Sequence, residues 1–329
     1  MTHSAASACA WLSTTGRPSS VALHDVPAPA KINLFLHVTG RRPDGYHLLE
    51  TAFRFIDLCD VLSFDLRRDG AIEREGEHLP GLAAEDDLVV RAARALQRAT
   101  GASLGAQIRY EKIIPSGGGL GGGSSDAATT LIALNRLWNT GLDRRQLMQL
   151  ALPLGADVPV FIYGQAAFAT GIGETFQPLS LPERAYLVVQ PPQSVPTGEV
   201  FSSPNLTRDS ESVRITVFTD WQKENAPTCT ASGCTGYFGR NDLEPVVFAS
   251  YPRVAAAHEW LAGLGLNARM SGSGACLFVE FVTFEQAAMQ HRKIIGKIPS
   301  RENDNAAVAK NAWLCHGLPE HPLRNWISS

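Results

Sequence analysis

The sequence predicts a two-domain α+β protein, on three observations. At roughly 150 residues per domain, its 329 residues make about two domains. Segments with a two-residue hydrophobic period interleave with segments of 3.6-residue spacing, without the regular strand–helix–strand repeat of a parallel sheet. A proline pair, Pro191 and Pro192, follows the apolar run RAYLVVQ and marks a change of composition. The domains are therefore set at 23–182 and 183–329, with residues 1–22, rich in Ser, Thr and Ala, as a disordered leader.

Composition narrows the function classes. Lys and Arg number 29 against 32 Asp and Glu, a net charge of −3 without a long run of one sign, so a basic nucleic-acid-binding face is not expected. No stretch approaches the ~18 uninterrupted apolar residues of a membrane span, and the first residues lack the basic start of a secretory signal. Six cysteines are too sparse for a disulfide framework. Cys229 and Cys234 read as unrelated loop thiols, and a reducing cytoplasm is the expected location.

The ordered chain is expected to begin near Val26. KINLFLHV, Lys31 to Val38, alternates Ile32, Leu34, Leu36 and Val38 with Lys31, Asn33, Phe35 and His37, which predicts a strand with one apolar and one functional or amphipathic face. Pro43 and Asp44-Gly45 supply a reversal. FRFIDLCDVLSFDL predicts one or two more strands, EDDLVVRAARALQRATG a helix stopped by Gly101, and AQIRYEKIIP a strand closed by Pro115. AATTLIALNRLWN and the segment Asp143 to Leu152 are helical by spacing. LGADVPVFIYGQAAFATGIGE reads as strands with glycine turns, and Tyr186 to Val189 as another strand. Leu206 to Arg240 is polar and irregular, an insertion or a loop. PRVAAAHEWLAGLG and FEQAAMQHRKII are helices flanking ARMSGSGACLFVEF, a loop running into an apolar strand.

The densest punctuation is Pro115-Ser116-Gly117-Gly118-Gly119-Leu120-Gly121-Gly122-Gly123-Ser124-Ser125, which feeds a helix directly. Glycines let backbone amides approach phosphate oxygens, and a helix N-terminus adds a positive dipole end, so the loop points to polyphosphate binding. It lacks the Lys of a Walker A loop. Gly117, Gly119 and Gly122 also match the spacing of a dinucleotide fingerprint, with Asp143 about twenty residues on.

The loop PSGGGLGGGSS resembles that of the GHMP kinase superfamily. PAKINLFLHVTGRRPDGYHLLET, LGADVPVFIYGQAAFATGIGE, and NDLEPVV with ARMSGSGACLFVEF extend the resemblance from about Ala28 to Leu318. Within the superfamily the sequence is similar to the branch acting on a cytidine-diphosphate-linked alcohol. The resemblance implies an N-terminal lobe like ribosomal protein S5 domain 2, a ferredoxin-like C-terminal lobe and a cleft between them. It also implies transfer of the ATP γ-phosphate to the 2-hydroxyl of 4-diphosphocytidyl-2-C-methyl-D-erythritol, a step of non-mevalonate isoprenoid biosynthesis.

Residue by residue, the resemblance makes Lys31 and Asp157 the catalytic pair, with Asp157 accepting the hydroxyl proton and Lys31 holding the carboxylate ionised. Asn33, two residues on, shares the Lys31 face. Tyr46 and His47 in DGYH match a cytidine-binding turn, with Phe201 as the opposite aromatic wall and Thr197 and Gly272 as further substrate contacts. The loop from Pro115 to Ser125 and Lys112 would hold ATP. Asp87 stands where the family writes Asn, which puts an adenine contact there in doubt. Mg²⁺ is expected with the triphosphate, without identified ligands. The substrate is a small molecule; no protein partner is evident, and a homodimer is compatible. The rival readings are a GHMP kinase for another small alcohol, an inactive nucleotide or sugar sensor on the same fold, and a nicotinamide-binding dehydrogenase.

Overall fold

A long hairpin organises the molecule. β1 (Ala22–Arg41) and β2 (His47–Arg67) pair antiparallel from Ala22↔Asp65 to Arg41↔His47, around a turn in which Asp44 accepts from the Tyr46 amide and Gly45 takes a φ of 92°. The computed structural model describes residues 21–75, 85–224, 229–230, 233–234, 236–298 and 307–328. Apart from Val21 and Ala22, which already belongs to β1, the expected leader lies outside the described residues.

β1 is longer than the expected Lys31–Val38 and does not keep one polar face. Register shifts after Pro29 and Asn33 turn successive parts of it toward different neighbours. Val26 and Ala28 enter one core, Ala30, Ile32, Leu34 and Phe35 a second, and Leu36 and Val38 a third. Phe35 and His37, expected on the functional face, are therefore buried.

β3 (Ile72–Arg74) and β4 (Gly105–Glu111) flank α1 (Leu88–Thr100). Asp87 caps α1 by accepting from the Val89 amide, and Gly101 ends it in the left-handed conformation. α2 (Gly122–Leu137), α3 (Arg144–Ala151) and α4 (Val158–Tyr163) complete a helical layer over the hairpin. α4 falls where the sequence predicted strand. Val-Pro-Val-Phe-Ile carries a strand-like composition, but Pro159 sits in the first turn, where its missing N–H is harmless, and Gly164 closes the end.

β5 (Ala167–Thr170) pairs with β2 and β6 (Thr175–Pro178), and β7 (Ala185–Gln190) opens the second half. α5 (Thr197–Ser202) follows. The segment expected to be irregular contains α6 (Ile215–Glu224) and the short β8 (Cys229–Thr230) and β9 (Gly233–Cys234). Cys234 is disulfide-bonded, against the expectation of a free loop thiol. α7 (Glu244–Ser250), α8 (Pro252–Gly263), β10 (Arg269–Met270), β11 (Leu277–Phe281) and α9 (Phe284–Ile295) form the remaining layer, closed by β12 (Asn311–Leu318).

Apart from β8 and β9, which form a separate two-stranded sheet, the strands join in one sheet in the order β10-β11-β7-β12-β2-β4-β3, with β1 on β2 and the β5-β6 pair attached to β2. Among the described strands only β3 and β4 pair parallel. β12 is the joint: Asn311 to His316 pair with β7, and Gly317 and Leu318 pair with Ile56 and Phe55 of β2. Beyond it the chain returns to the first half, where Leu323 and Ile327 are buried in the core under α1 to α4. No helix of the described residues is long and apolar enough to cross a membrane.

Candidate active site

A cavity of about 540 Å³ is lined from both halves of the chain. On its floor the Lys31 ammonium, 3% exposed, has three acceptors: Asn33 Oδ1 at 2.6 Å, the Gly119 carbonyl at 3.1 Å and Asp157 Oδ2 at 3.2 Å. An ammonium has three N–H donors, so each of its protons has a direction. Asn33 is held in turn by donating to Thr51 Oγ1, which donates to the Phe35 carbonyl. Asp157 precedes α4 in the capping position, yet makes no capping bond. Its side chain turns instead to Lys31 and is 38% exposed to the cavity.

The glycine loop forms the wall above this pair. Positive φ at Gly117, Gly119 and Gly121 folds its backbone back and forth before α2 begins, and Gly121, without a side chain, stands where a capping residue would. Successive amides in such a loop form a concave anion-binding surface. The loop from Ser271 to Cys276 lies against it: Ala275 and Cys276 donate to the Gly117 and Gly118 carbonyls, and Ser271 Oγ to that of Gly119. The fit is tight. A Cβ on Gly119 would lie 2.0 Å from the Ser271 carbonyl oxygen, and one on Gly272, at φ 54°, would crowd Asn33 Oδ1 at 3.1 Å and Lys31 Nζ at 3.3 Å.

Of the loop residues expected at the nucleotide, Pro115 to Gly119 and Gly121 to Ser124 line the cavity, whereas Leu120 and Ser125 turn away. Leu120 packs in the core because its side chain is apolar, and Ser125 is fully buried on the inner side of α2. Lys112 lines the cavity from beneath, held between Asp60 Oδ2 at 2.5 Å and Asp126 Oδ2 at 2.6 Å. Burial alone would lower its pKa, but the two carboxylates outweigh that and raise it. Burial pushes Asp126 up to about 7, with Lys112 opposing and Asp60 adding to the rise. Asp87 caps α1 and is pinned by Arg74 Nε and the Tyr110 hydroxyl, both at 2.9 Å.

At the other end, Phe201 and Thr197 line the cavity, with Thr197 Oγ1 2.7 Å from Ser273 Oγ. His47 meets the Phe201 ring at a centroid distance of 5.1 Å, while Tyr46 stands exposed on the hairpin turn. Neither Tyr46 nor His47 lines the main cavity. Burial and the neighbouring Arg208 and Arg41 hold the His47 pKa below the ordinary histidine value.

Sequence reasoning assigned nothing to several residues that build this site. Arg208 donates to His47 Nε2 at 3.0 Å. Ser212 and Val213 bind Glu50 of β2, and Ser210 with Arg240 binds the buried Asp242, whose carboxylate also accepts from Val38. Asn241 donates to the Met270 and Gly272 carbonyls and so shapes the second loop. Of these, Asn241 and Asp242 carried a signal as the first residues of the NDLEPVV segment, and Glu50 as part of the segment PAKINLFLHVTGRRPDGYHLLET.

Residues 87–165 match the family description GHMP kinases N terminal domain, and residues 231–313 match GHMP kinases C terminal. The chain is 60% identical over 313 residues to the 4-diphosphocytidyl-2-C-methyl-D-erythritol kinase of Bordetella parapertussis, covering 93% of this chain and 99% of that protein. It is 52% identical over 305 residues to the protein of the same name from Aromatoleum aromaticum, covering 93% and 97%. A crystal structure of 4-(cytidine 5'-diphospho)-2C-methyl-D-erythritol kinase superposes with a TM-score of 0.70 at 31% identity, covering 88% of this chain and 98% of that one. The homoserine kinase of Cytophaga hutchinsonii shares the fold, with a TM-score of 0.60 at 15% identity over 94% of this chain and 98% of that one.

Proposed function

The chain belongs to the 4-diphosphocytidyl-2-C-methyl-D-erythritol kinase family of the GHMP kinases, and from that premise we propose that its cleft works through Lys31 and Asp157 as a catalytic pair. The reaction transfers the γ-phosphate of ATP to the 2-hydroxyl of 4-diphosphocytidyl-2-C-methyl-D-erythritol, giving ADP and the 2-phosphate, in non-mevalonate isoprenoid biosynthesis. One observation carries the proposal for the pair. A buried ammonium with fixed donor directions sits 3.2 Å from a carboxylate that reaches the cavity, directly beneath the glycine loop.

Phosphoryl transfer asks the protein to position the reactants and stabilise charge. The substrate hydroxyl approaches Asp157, which accepts its proton as the oxygen attacks the γ-phosphorus. Lys31, 3.2 Å away, orients the carboxylate and offsets negative charge on the attacking oxygen. The glycine-loop amides and the start of α2 hold the phosphates. Magnesium would supply positive charge that offsets the negative charge of the triphosphate. The oxygen donors here fit such an ion: Ser124 and Asp126 line the cavity, and Asp126 Oδ1 is buried with no hydrogen-bond partner among the described residues. Those two residues would hold it. At the far end, His47, Tyr46, Thr197 and Phe201 would receive the cytidine. An ATP-dependent step on a small nucleotide-linked alcohol suits the cytoplasm.

Asp157→Ala is expected to lower kcat by at least about a hundredfold while leaving the ATP dissociation constant nearly unchanged. Phosphomonoester formation followed by phosphorus NMR, with calorimetric titration of ATP, checks both. Turnover close to that of the wild type would remove Asp157 from the role of base. Phosphorylation of homoserine or mevalonate instead of the cytidine-linked alcohol would overturn the substrate.

A further inference from the structure

Arg208 lies in the stretch after α5 to which the sequence reading gave no function, yet its guanidinium gathers both rings at the far end of the cleft. Nε donates to His47 Nε2 at 3.0 Å, Nη2 to the Phe201 and Ser203 carbonyls at 3.0 and 2.7 Å, and Nη1 to the Leu206 carbonyl at 3.0 Å. A guanidinium has no acceptor and does not lose its proton. The His47 nitrogen facing it must therefore carry a lone pair, and the single proton of the neutral ring sits on Nδ1.

We propose that Arg208 is a positioning and specificity-determining residue, which fixes His47 as an Nδ1–H donor beside Phe201 so that the ring selects a pyrimidine with acceptors on its edge. The proposal rests on the cytidine-linked substrate of the preceding reading. Cytosine presents two adjacent acceptors, O2 and N3, on the edge that pairs in nucleic acids. Uracil keeps O2 but carries a proton at N3, so a fixed donor near N3 meets another donor and leaves both unpaired, the costly arrangement for a desolvated polar group. A histidine free to exchange its proton between nitrogens would accommodate either base. Arg208 removes that freedom, and its bond to the Phe201 carbonyl sets the aromatic wall at the same time.

The charged groups facing His47 are Arg208, from the stretch after α5, and Arg41, from β1; both are cations that disfavour a second ring proton, as does burial. Loss of Arg208 therefore releases the tautomer and moves the ring's titration upward.

Three measurements test this. Long-range ¹⁵N–¹H correlation on ¹⁵N-histidine-labelled protein should show wild-type His47 protonated at Nδ1 only, and Arg208→Leu should show a tautomer mixture with a higher titration midpoint. In steady-state kinetics Arg208→Leu should raise KM for the cytidine-linked alcohol about tenfold, the effect of one charge-assisted contact, with kcat within about twofold. Discrimination against the uridine analogue should shrink, and the KM defect should diminish at low pH, where the released histidine protonates and both its nitrogens become donors. Arg208→Lys, which keeps a cationic donor, should recover part of both effects and guards against a folding defect in the leucine variant. A proton on Nε2 in the wild type, or an unchanged KM and pH profile in folded Arg208→Leu, would overturn the proposal while leaving the kinase reading intact. Failure of the wild type to phosphorylate any cytidine-linked alcohol would overturn the base-selection role together with that reading, and the NMR experiment decides the tautomer independently.

Discussion

At the scale of single residues, the site is governed by backbones in contact. The Gly119 carbonyl accepts from both Lys31 and Ser271, and its Cα has no room for a methyl group. Gly119→Ala is expected to displace the loop by a fraction of an ångström or more and to lower kcat/KM by roughly a hundredfold, the usual result of such a misplacement near a reacting centre. Activity assays beside a thermal melt check this, since a folded but slow enzyme is the expected product. What the sequence showed at this scale was what is local. The glycine loop is eleven consecutive residues, and Lys31 and Asn33 share a strand face by simple alternation. Arg208 was invisible because its partner is 161 positions away and its neighbours Thr207, Asp209 and Ser210 follow no period. Thr51 and Ser271 fall inside segments that carry the resemblance, but their contacts show only once folding places them beside Asn33 and Gly119.

At the scale of elements, helices with proper ends were legible and the short or strand-like ones were not. α3 begins with a full capping box, in which Asp143 accepts from the Gln146 amide and the Gln146 side chain accepts from the Asp143 amide. The same Asp143 satisfies the spacing of a dinucleotide fingerprint, and the capping geometry explains its presence without a ribose. Asp143→Ala is expected to cost about 1 kcal/mol of unfolding free energy with kcat/KM unchanged; urea denaturation and the kinase assay separate the two. α4 was missed because Val158, Val160, Phe161 and Ile162 have strand propensity and only tertiary burial makes them helical. β12 was missed because WLCHGL alternates poorly and its two partners, β7 and β2, lie far back in the chain.

At the scale of the whole molecule, the C-terminal residues stabilise the first half. His321 is buried, accepts from the Leu323 amide at Nδ1, and meets Phe55 and Phe161 edge-on. Burial, with a smaller effect from Arg144, lowers its pKa from 6.5 to about 3. Below pH 6.5 the unfolded chain binds a proton here that the folded chain refuses, so stability falls with pH until about 3. Between pH 7 and pH 5 this group should remove about 2 kcal/mol, at ~1.4 kcal/mol per pH unit. Guanidinium unfolding at the two pH values measures it, and His321→Leu should lose that part of the difference. A smaller or reversed difference between the two proteins would show that the ring is protonated in the native state. None of this was legible beforehand, because the fold names implied by the resemblance say nothing of where the last dozen residues pack.

The joining of β7 to β2 by β12 also bears on how the chain is made. Strands between them in space are not between them in time: β2 and β7 leave the ribosome long before the segment that pairs with both. Until β12 and the residues after it emerge, a nascent chain exposes two open sheet edges and an apolar surface still lacking Leu323 and Ile327. The sheet that joins the two sides of the cleft is thus closed late in the emergence of the chain, and protection of those edges falls to whatever attends it until then.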